Sequence, residues 1–193
     1  MTTPPLILAS ASPRRLALLA QAGITPAQVI AAQLDETPHP RELPHLYAQR
    51  VARQKAQAIA AQHVDAVVLA ADTVVACGRR ILPKAEDEKT AAQCLALLSG
   101  KRHRVITSVC IIGGSKTSAA TITTFVRFAR LSKADIAAYI ATGEWSGKAG
   151  GYAIQGVAER FIPWINGSYS NVVGLPLAKT ASMLEAYGIK GDV

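Results

Sequence analysis

A mixed α/β fold, with helices flanking a mixed twisted sheet, is what this sequence predicts, and three patterns predict it. A short apolar run, Leu6 to Ser10, passes directly into a helix signal. A longer Val-rich run, Asp65 to Cys77, suits a central strand covered on both faces. Two β-branched stretches flank a Gly-Gly turn, which makes part of the sheet antiparallel.

In chain order, Leu6 to Ser10 reads as a buried strand. Ser12 and Pro13 then supply an N-cap and a first-turn proline for a helix running to about Ala22 and stopped at Gly23. A Pro-rich connection, Thr37 to Pro44, leads into a second helix from about His45 to Gln62, rich in Ala, Gln and Arg. After the central strand, Ala85 to Ser99 carries Ala92, Leu95 and Leu98 at helical spacing. Glu86, Asp87 and Glu88 fall in its first turn, and Gly100 stops it. Val105 to Ile112 and Ala120 to Leu131 form a hairpin around Gly113-Gly114-Ser115-Lys116. Ser132 to Asp135 is a capping-box-like start, with Asp in place of Glu, for a helix ending near Gly143. Glu144 to Tyr169 is Gly-rich and irregular, and Pro176 to Tyr187 is the last helix.

No stretch of the 193 residues forces a second independent domain, so residues 1–193 are read as one domain, although the length permits two small lobes. No apolar run approaches the roughly 18 residues that span a bilayer. Met1 to Pro5 lacks a basic n-region, and Leu6 to Ala9 is too short for a signal-peptide core, so the expected location is the cytoplasm. The three cysteines, Cys77, Cys94 and Cys110, are odd in number and far apart, which fits reduced, partly buried thiols better than a disulfide framework or a zinc site. A formal net charge of +8 points to an anionic partner: nucleic acid, a membrane surface or a phosphorylated small molecule. Because the Lys and Arg are scattered and aromatics are few, a compact anionic ligand is expected, with no stable nucleic acid and no membrane as partner.

Several residues are chemically out of place. Arg14 and Arg15 sit in the first turn of a helix, facing the positive end of its dipole, which costs about 0.3–1 kcal/mol per charge unless an anion compensates. With Ser10 and Ser12 they make a phosphate cradle; otherwise they belong to an ordinary capped helix with solvated arginines. There is no Gly-x4-Gly-Lys-Ser/Thr anywhere, so this is not a P-loop. Asp72 interrupts the longest apolar strand, where an unpaired buried charge costs several kcal/mol. It is therefore paired, metal-bound or exposed in a cleft, unless the strand ends near Ala71. Lys55 shares a helix face with Val51 and Ile59, which should look toward the core, so it either snorkels or meets an anion. Lys84 reads as a turn residue that reaches the same chemistry or stays at the surface. Leu34-Asp35-Glu36 is a solvated acidic turn or, through Glu36, a second carboxylate beside Asp72 for a divalent cation that also holds a triphosphate. The glycines from Gly147 to Gly156 either bring backbone close to a ligand or form a flexible loop, and Gln155 can read a base edge.

Taken together, Ser10-Ala11-Ser12-Pro13-Arg14-Arg15, Ala71-Asp72-Thr73, Leu98-Ser99-Gly100, Gly147-Lys148-Ala149-Gly150, Ile154-Gln155-Gly156 and Asn171-Val172-Val173-Gly174-Leu175-Pro176-Leu177 resemble the Maf family, in the same order and over nearly the whole chain. That resemblance implies a fold similar to inosine triphosphate pyrophosphatases, with two lobes around a cleft, and hydrolysis of nucleoside triphosphates to monophosphate and pyrophosphate. It implies Asp72 as the catalytic base, and Ser10, Arg14, Arg15, Lys55 and Lys84 as phosphate-contacting positions. Glu36 is implied as a metal or water contact, with magnesium or manganese as the metal. Arg14, Thr73 and Gln155 match the branch acting on dTTP and UTP, whereas the branch acting on 7-methyl-GTP has an aromatic at the first position and other polar residues at the rest. The chain departs from the family at Pro83-Lys84-Ala85, commonly Gly-Lys-Pro, and at Ala153, commonly Gly. Family members are often dimers, so a homodimer is one assembly the resemblance allows. Alternatives are turnover of 7-methyl-GTP and, because the family has also been linked to septum formation, a non-enzymatic role in cell division.

Overall fold

In the computed structural model, residues 4–192 are described. Met1 to Thr3, part of the segment on which the expected absence of a leader rests, lie outside the described residues. The chain divides into two compact units: residues 1–72, 107–122 and 174–193 form the first, and residues 73–106 and 123–173 the second.

Along the chain the elements are β1 (Leu6–Leu8), α1 (Pro13–Gln21), β2 (Gln28–Val29), α2 (Pro44–Ala60), β3 (Val67–Cys77), β4 (Arg80–Leu82), β5 (Lys84–Ala85) and α3 (Glu88–Leu98). They continue with β6 (Arg102–Gly113), β7 (Lys116–Arg127), α4 (Lys133–Ile140), β8 (Lys148–Ala149), a 3-10 turn (Val157–Phe161), β9 (Trp164–Asn166), α5 (Tyr169–Val173) and α6 (Leu177–Glu185). The main sheet runs β2-β1-β3-β6-β7-β9, with β4 on β3. It is mixed, as expected: β1 is parallel to both β2 and β3, whereas β3 with β4 and β7 with β9 are antiparallel.

In the first unit, Ile7 and Ala9 of the opening strand segment pack with Val68 and Ala70 of β3 and with Ala52, Ala56 and Ile59 of α2. The small residues on that face of α2 let the helix lie close to the sheet. The expected second helix is correct apart from its ends: Pro44, not His45, opens it, because a proline at the first helical position gives up an N–H that would have no partner there.

In the second unit the core gathers Val75, Leu95, Leu98, Phe128, Tyr139, Tyr152 and Phe161. The helix expected from Ala85 begins only at Glu88, because Asp87 takes the N-cap and accepts from the Thr90 N–H, while Ala85 pairs as a strand with Lys148. The expected capping box holds in full, with Ser132 and Asp135 bonded reciprocally. The hairpin turn also falls where expected, on Gly114 at φ 56° and Ser115, so β7 starts at Lys116 rather than Ala120 and ends at Arg127. The stretch from Glu144 to Tyr169 is more ordered than its glycines predict. Gly150, at φ 68°, presses its backbone on β3 so closely that an added Cβ would lie 2.9 Å from the Val75 side chain. Here glycine serves packing, and neither a ligand nor a flexible loop is needed to explain it.

All three cysteines are free, with Cys94 and Cys110 buried and Cys77 half-buried. His103, 2 % exposed, packs edge-on against both Phe128 and Tyr152, with its Nε2 2.8 Å from the Tyr152 hydroxyl. Burial pushes this imidazole down to about 4 from 6.5. The unfolded chain therefore binds a proton first, and the stabilisation, complete above 6.5, is lost as the pH falls toward 4. Up to about 3 kcal/mol is lost over that window. Chemical denaturation at pH 7.5, 5.5 and 4 should show this slope, and His103→Phe should flatten it; an equal slope in the variant would rule His103 out as its source.

Candidate active site

Six of the residues singled out by sequence belong to the first unit: Ser10, Arg14, Arg15, Glu36, Lys55 and Asp72. Ser10 follows β1 and is buried, because β1 is fully buried and the chain must turn before Pro13 can start a helix. Its Oγ accepts from the Ser12 backbone N–H at 3.2 Å and from Arg15 Nη1 at 2.9 Å. Ser12 holds the N-cap position of α1, but its side chain makes no capping bond. The cap read from sequence is thus backbone conformation only, and it is Ser10 that bonds the turn. Arg15 also donates from Nε to the Gly174 carbonyl at 2.8 Å. Burial lowers the affinity of both guanidinium groups for their protons, and at Arg15 the nearby Asp72 works in the opposite direction.

Asp72 does not end β3; the strand runs on to Cys77, and the carboxylate is 4 % exposed. A buried charge here needs a partner, and Lys55 supplies it. Lys55 Nζ lies 2.9 Å from Asp72 Oδ1 and 2.8 Å from Glu36 Oε1. The lysine therefore does not snorkel but meets anions: α2 carries it inward to bridge two carboxylates. Burial pushes the Asp72 carboxyl above its ordinary value, opposed first by Lys55 and then by Arg15. Asp72 Oδ2 has no hydrogen-bond partner among the described residues.

Arg14, Arg15 and Lys55 thus belong to the same unit as Asp72 and Glu36, and Lys55 is paired with both carboxylates. The oxygen donors also fit a hard divalent cation. Asp72 Oδ2 is an orphaned buried oxygen, and the Glu36 side chain, 27 % exposed, is open to solvent on one side. No cluster of three or more His, Cys, Asp or Glu residues suited to a metal exists among the described residues, so phosphate and water oxygens would complete any such shell.

Thr73, Lys84 and Gln155 belong to the second unit. Thr73 is half-buried in β3, next in sequence to Asp72. Lys84 is exposed and lies on β5, opposite Ala149, so it is a strand residue and not the turn residue read from sequence. Gln155 is exposed in the turn before the 3-10 segment. Asn171, prominent in the resemblance, has a structural use: its Nδ2 donates to the Val105 carbonyl and to Thr124 Oγ1, joining β6 to β7.

The sequence match agrees with this chemistry. The family of Maf-like proteins matches residues 5–187 of the chain. The chain belongs to the Maf family. Among its Maf relatives, a dTTP/UTP pyrophosphatase of Paramagnetospirillum magneticum is 60% identical over 95% of this chain and 97% of its own length. Proteins of the same name from Novosphingobium aromaticivorans and Rhodospirillum rubrum are each 57% identical over 96% of this chain, covering 93% and 89% of their own lengths.

Sequence reasoning missed Tyr47, Arg50 and Glu42. The Tyr47 hydroxyl donates to the Glu36 carbonyl at 2.8 Å, and Arg50 Nη2 to the Thr37 carbonyl at 3.1 Å. Arg50 is itself held by a two-pronged pair with Glu42, at 2.8 and 2.7 Å. One signal was available: Tyr47, Val51 and Lys55 recur every fourth residue, so they share a face of α2.

Proposed function

We propose that this Maf protein hydrolyses dTTP and UTP to the nucleoside monophosphate and pyrophosphate. One observation carries the chemical part: a buried carboxylate, Asp72, keeps one oxygen on Lys55 and leaves the other without a hydrogen-bond partner among the described residues, in the same unit as Ser10, Arg14 and Arg15. The relatives' names supply the substrate, and Arg14, Thr73 and Gln155 are the residues that match the pyrimidine branch.

In the proposed mechanism Asp72 orients a water and takes its proton as the oxygen attacks the α-phosphorus. The bond from that phosphorus to the bridging oxygen breaks, and pyrophosphate leaves with the electron pair. A desolvated carboxylate with a raised proton affinity is a better base than one in water, and the Lys55 charge opposes that rise in part. Arg14, Arg15 and Lys84 contact the phosphates, with Ser10 fixing Arg15, while Thr73 and Gln155 select the base. Asp72 and Glu36 would hold magnesium or manganese, which when bound neutralises phosphate charge and polarises the attacking water. Most of the acceleration then comes from charge neutralisation and alignment.

The enzyme acts in the cytoplasm in this proposal, with the triphosphate as its partner, no stable nucleic-acid or membrane complex, and a homodimer as the assembly to look for by light scattering. No helix among the described residues is long and apolar enough to cross a membrane. Pyrophosphate release from dTTP, UTP and 7-methyl-GTP, each with magnesium and with manganese, tests the function. Turnover of dTTP and UTP above 7-methyl-GTP is the expected result. Preference for 7-methyl-GTP would overturn the specificity, and no turnover of any of them would overturn the activity.

A further inference from the structure

Glu36 has no regular element to hold it. It lies in the stretch between β2 and α2, which forms neither helix nor strand until the turn at residues 40–41. Yet its carboxylate meets Lys55 at 2.8 Å, a separation that a loose loop would not maintain. The backbone on both sides of it is tied down by α2. Tyr47 donates to the Glu36 carbonyl from inside, and Arg50 donates to the next carbonyl, Thr37, from the solvent side. The loop ties itself as well: Asp35 Oδ1 accepts from the Thr37 N–H at 2.9 Å, and Glu42 accepts from the His39 N–H at 2.9 Å. The Arg50 guanidinium lies over the Tyr47 ring, 5.4 Å from its centroid, so the two tethers brace each other.

We propose that Tyr47 and Arg50 are positioning residues that act through the Glu36–Thr37 backbone to hold the Glu36 carboxylate on Lys55. Lys55 in turn holds Asp72, so the tether reaches the reacting end of the site without touching the substrate. This rests on the proposed activity only for its kinetic readout. Burial, followed by the charges of Asp72 and Glu36, raises the proton affinity of the Tyr47 hydroxyl, so it remains a donor. The spacing explains why one helix can do both jobs. Tyr47 and Lys55 are two turns apart on one face, so the residue that fixes the loop and the residue that reads its carboxylate move as one body.

The test compares the wild type with Tyr47→Phe, Glu36→Gln and the double variant, reading kcat and KM for dTTP and hydrogen exchange across residues 35–38. Tyr47→Phe should keep KM and lower kcat about five-fold, the scale of one lost hydrogen bond, while exchange in the segment quickens. In the double variant kcat should equal that of Glu36→Gln alone, because the tether has nothing left to position. Unchanged kcat and exchange in Tyr47→Phe, or losses that multiply in the double variant, would overturn the proposal. Arg50→Gln serves as the second variant if Tyr47→Phe does not fold, with the same outcomes. If the wild type turns over neither dTTP nor UTP, the activity fails separately; exchange then decides the tether, faster in Tyr47→Phe sustaining it and unchanged exchange overturning it.

Discussion

Asp72→Asn should lower pyrophosphate release from dTTP by about 100- to 10,000-fold, the range expected when a positioned base is removed, while the protein stays folded. The two halves of this expectation have one cause. Asp72 lies in the interior of β3, and burial opposes its charge strongly enough to raise its proton affinity despite Lys55 and Arg15. For an acid whose folded-state pKa is raised, ionisation weakens the fold, so stability is lost as the pH rises through that pKa. An amide of nearly the same shape removes that penalty and leaves Lys55 paired with Glu36, so Asp72→Asn should remain folded at neutral pH. A strongly destabilised variant would make Asp72 a structural residue. A folded variant with wild-type turnover would remove it from the chemistry.

Lys55→Met should produce the second large effect, in stability as well as in activity. The substitution keeps the length and apolar stem of the side chain but leaves Asp72 and Glu36 facing each other without their shared cation. Removing one partner of a buried ion pair costs about 3–5 kcal/mol. The loss should depend on pH in a definite direction. Lys55 is the largest influence lowering the Asp72 pKa, so without it that pKa rises further. Between the unfolded and the folded pKa of Asp72, the folded variant binds the extra proton, so the variant regains stability as the pH falls and loses it as the pH rises. Urea unfolding at pH 5.5 and pH 8 should show a smaller deficit at the lower pH, and a deficit independent of pH would mean that the bridge is not electrostatic.

Local chemistry made most of the long elements legible in the sequence. Pro44 and Gly114 punctuate where their backbone preferences require it, Ser132 caps, and the Val-rich run of β3 could hardly be anything but a buried strand, whereas Asp87, read inside a first turn, is in fact a cap. The short strands were not legible. β2, β4, β5, β8 and β9 are two or three residues long, too short for a period of two to register, and each exists because a neighbouring strand offers its backbone. The start of α3 was misplaced for the same reason, since Ala85 fits a helix by propensity but is paired by its partner strand.

The candidate site shows the same division. Composition raised the expectation of an anionic ligand, the strand pattern marked Asp72 as out of place, and the family resemblance joined Ser10, Arg14, Arg15, Lys55 and Glu36 in one expected chemistry. Only the tertiary structure decided how they are used. Lys55 is spent on two carboxylates, Ser12 caps nothing, Ser10 bonds Arg15, and Gly150 makes room for Val75. The physical reason is that residue type fixes what a group can donate, accept or ionise. Which partner it finds, and what burial does to its charge, depend on segments tens of residues away that meet it only in the folded chain.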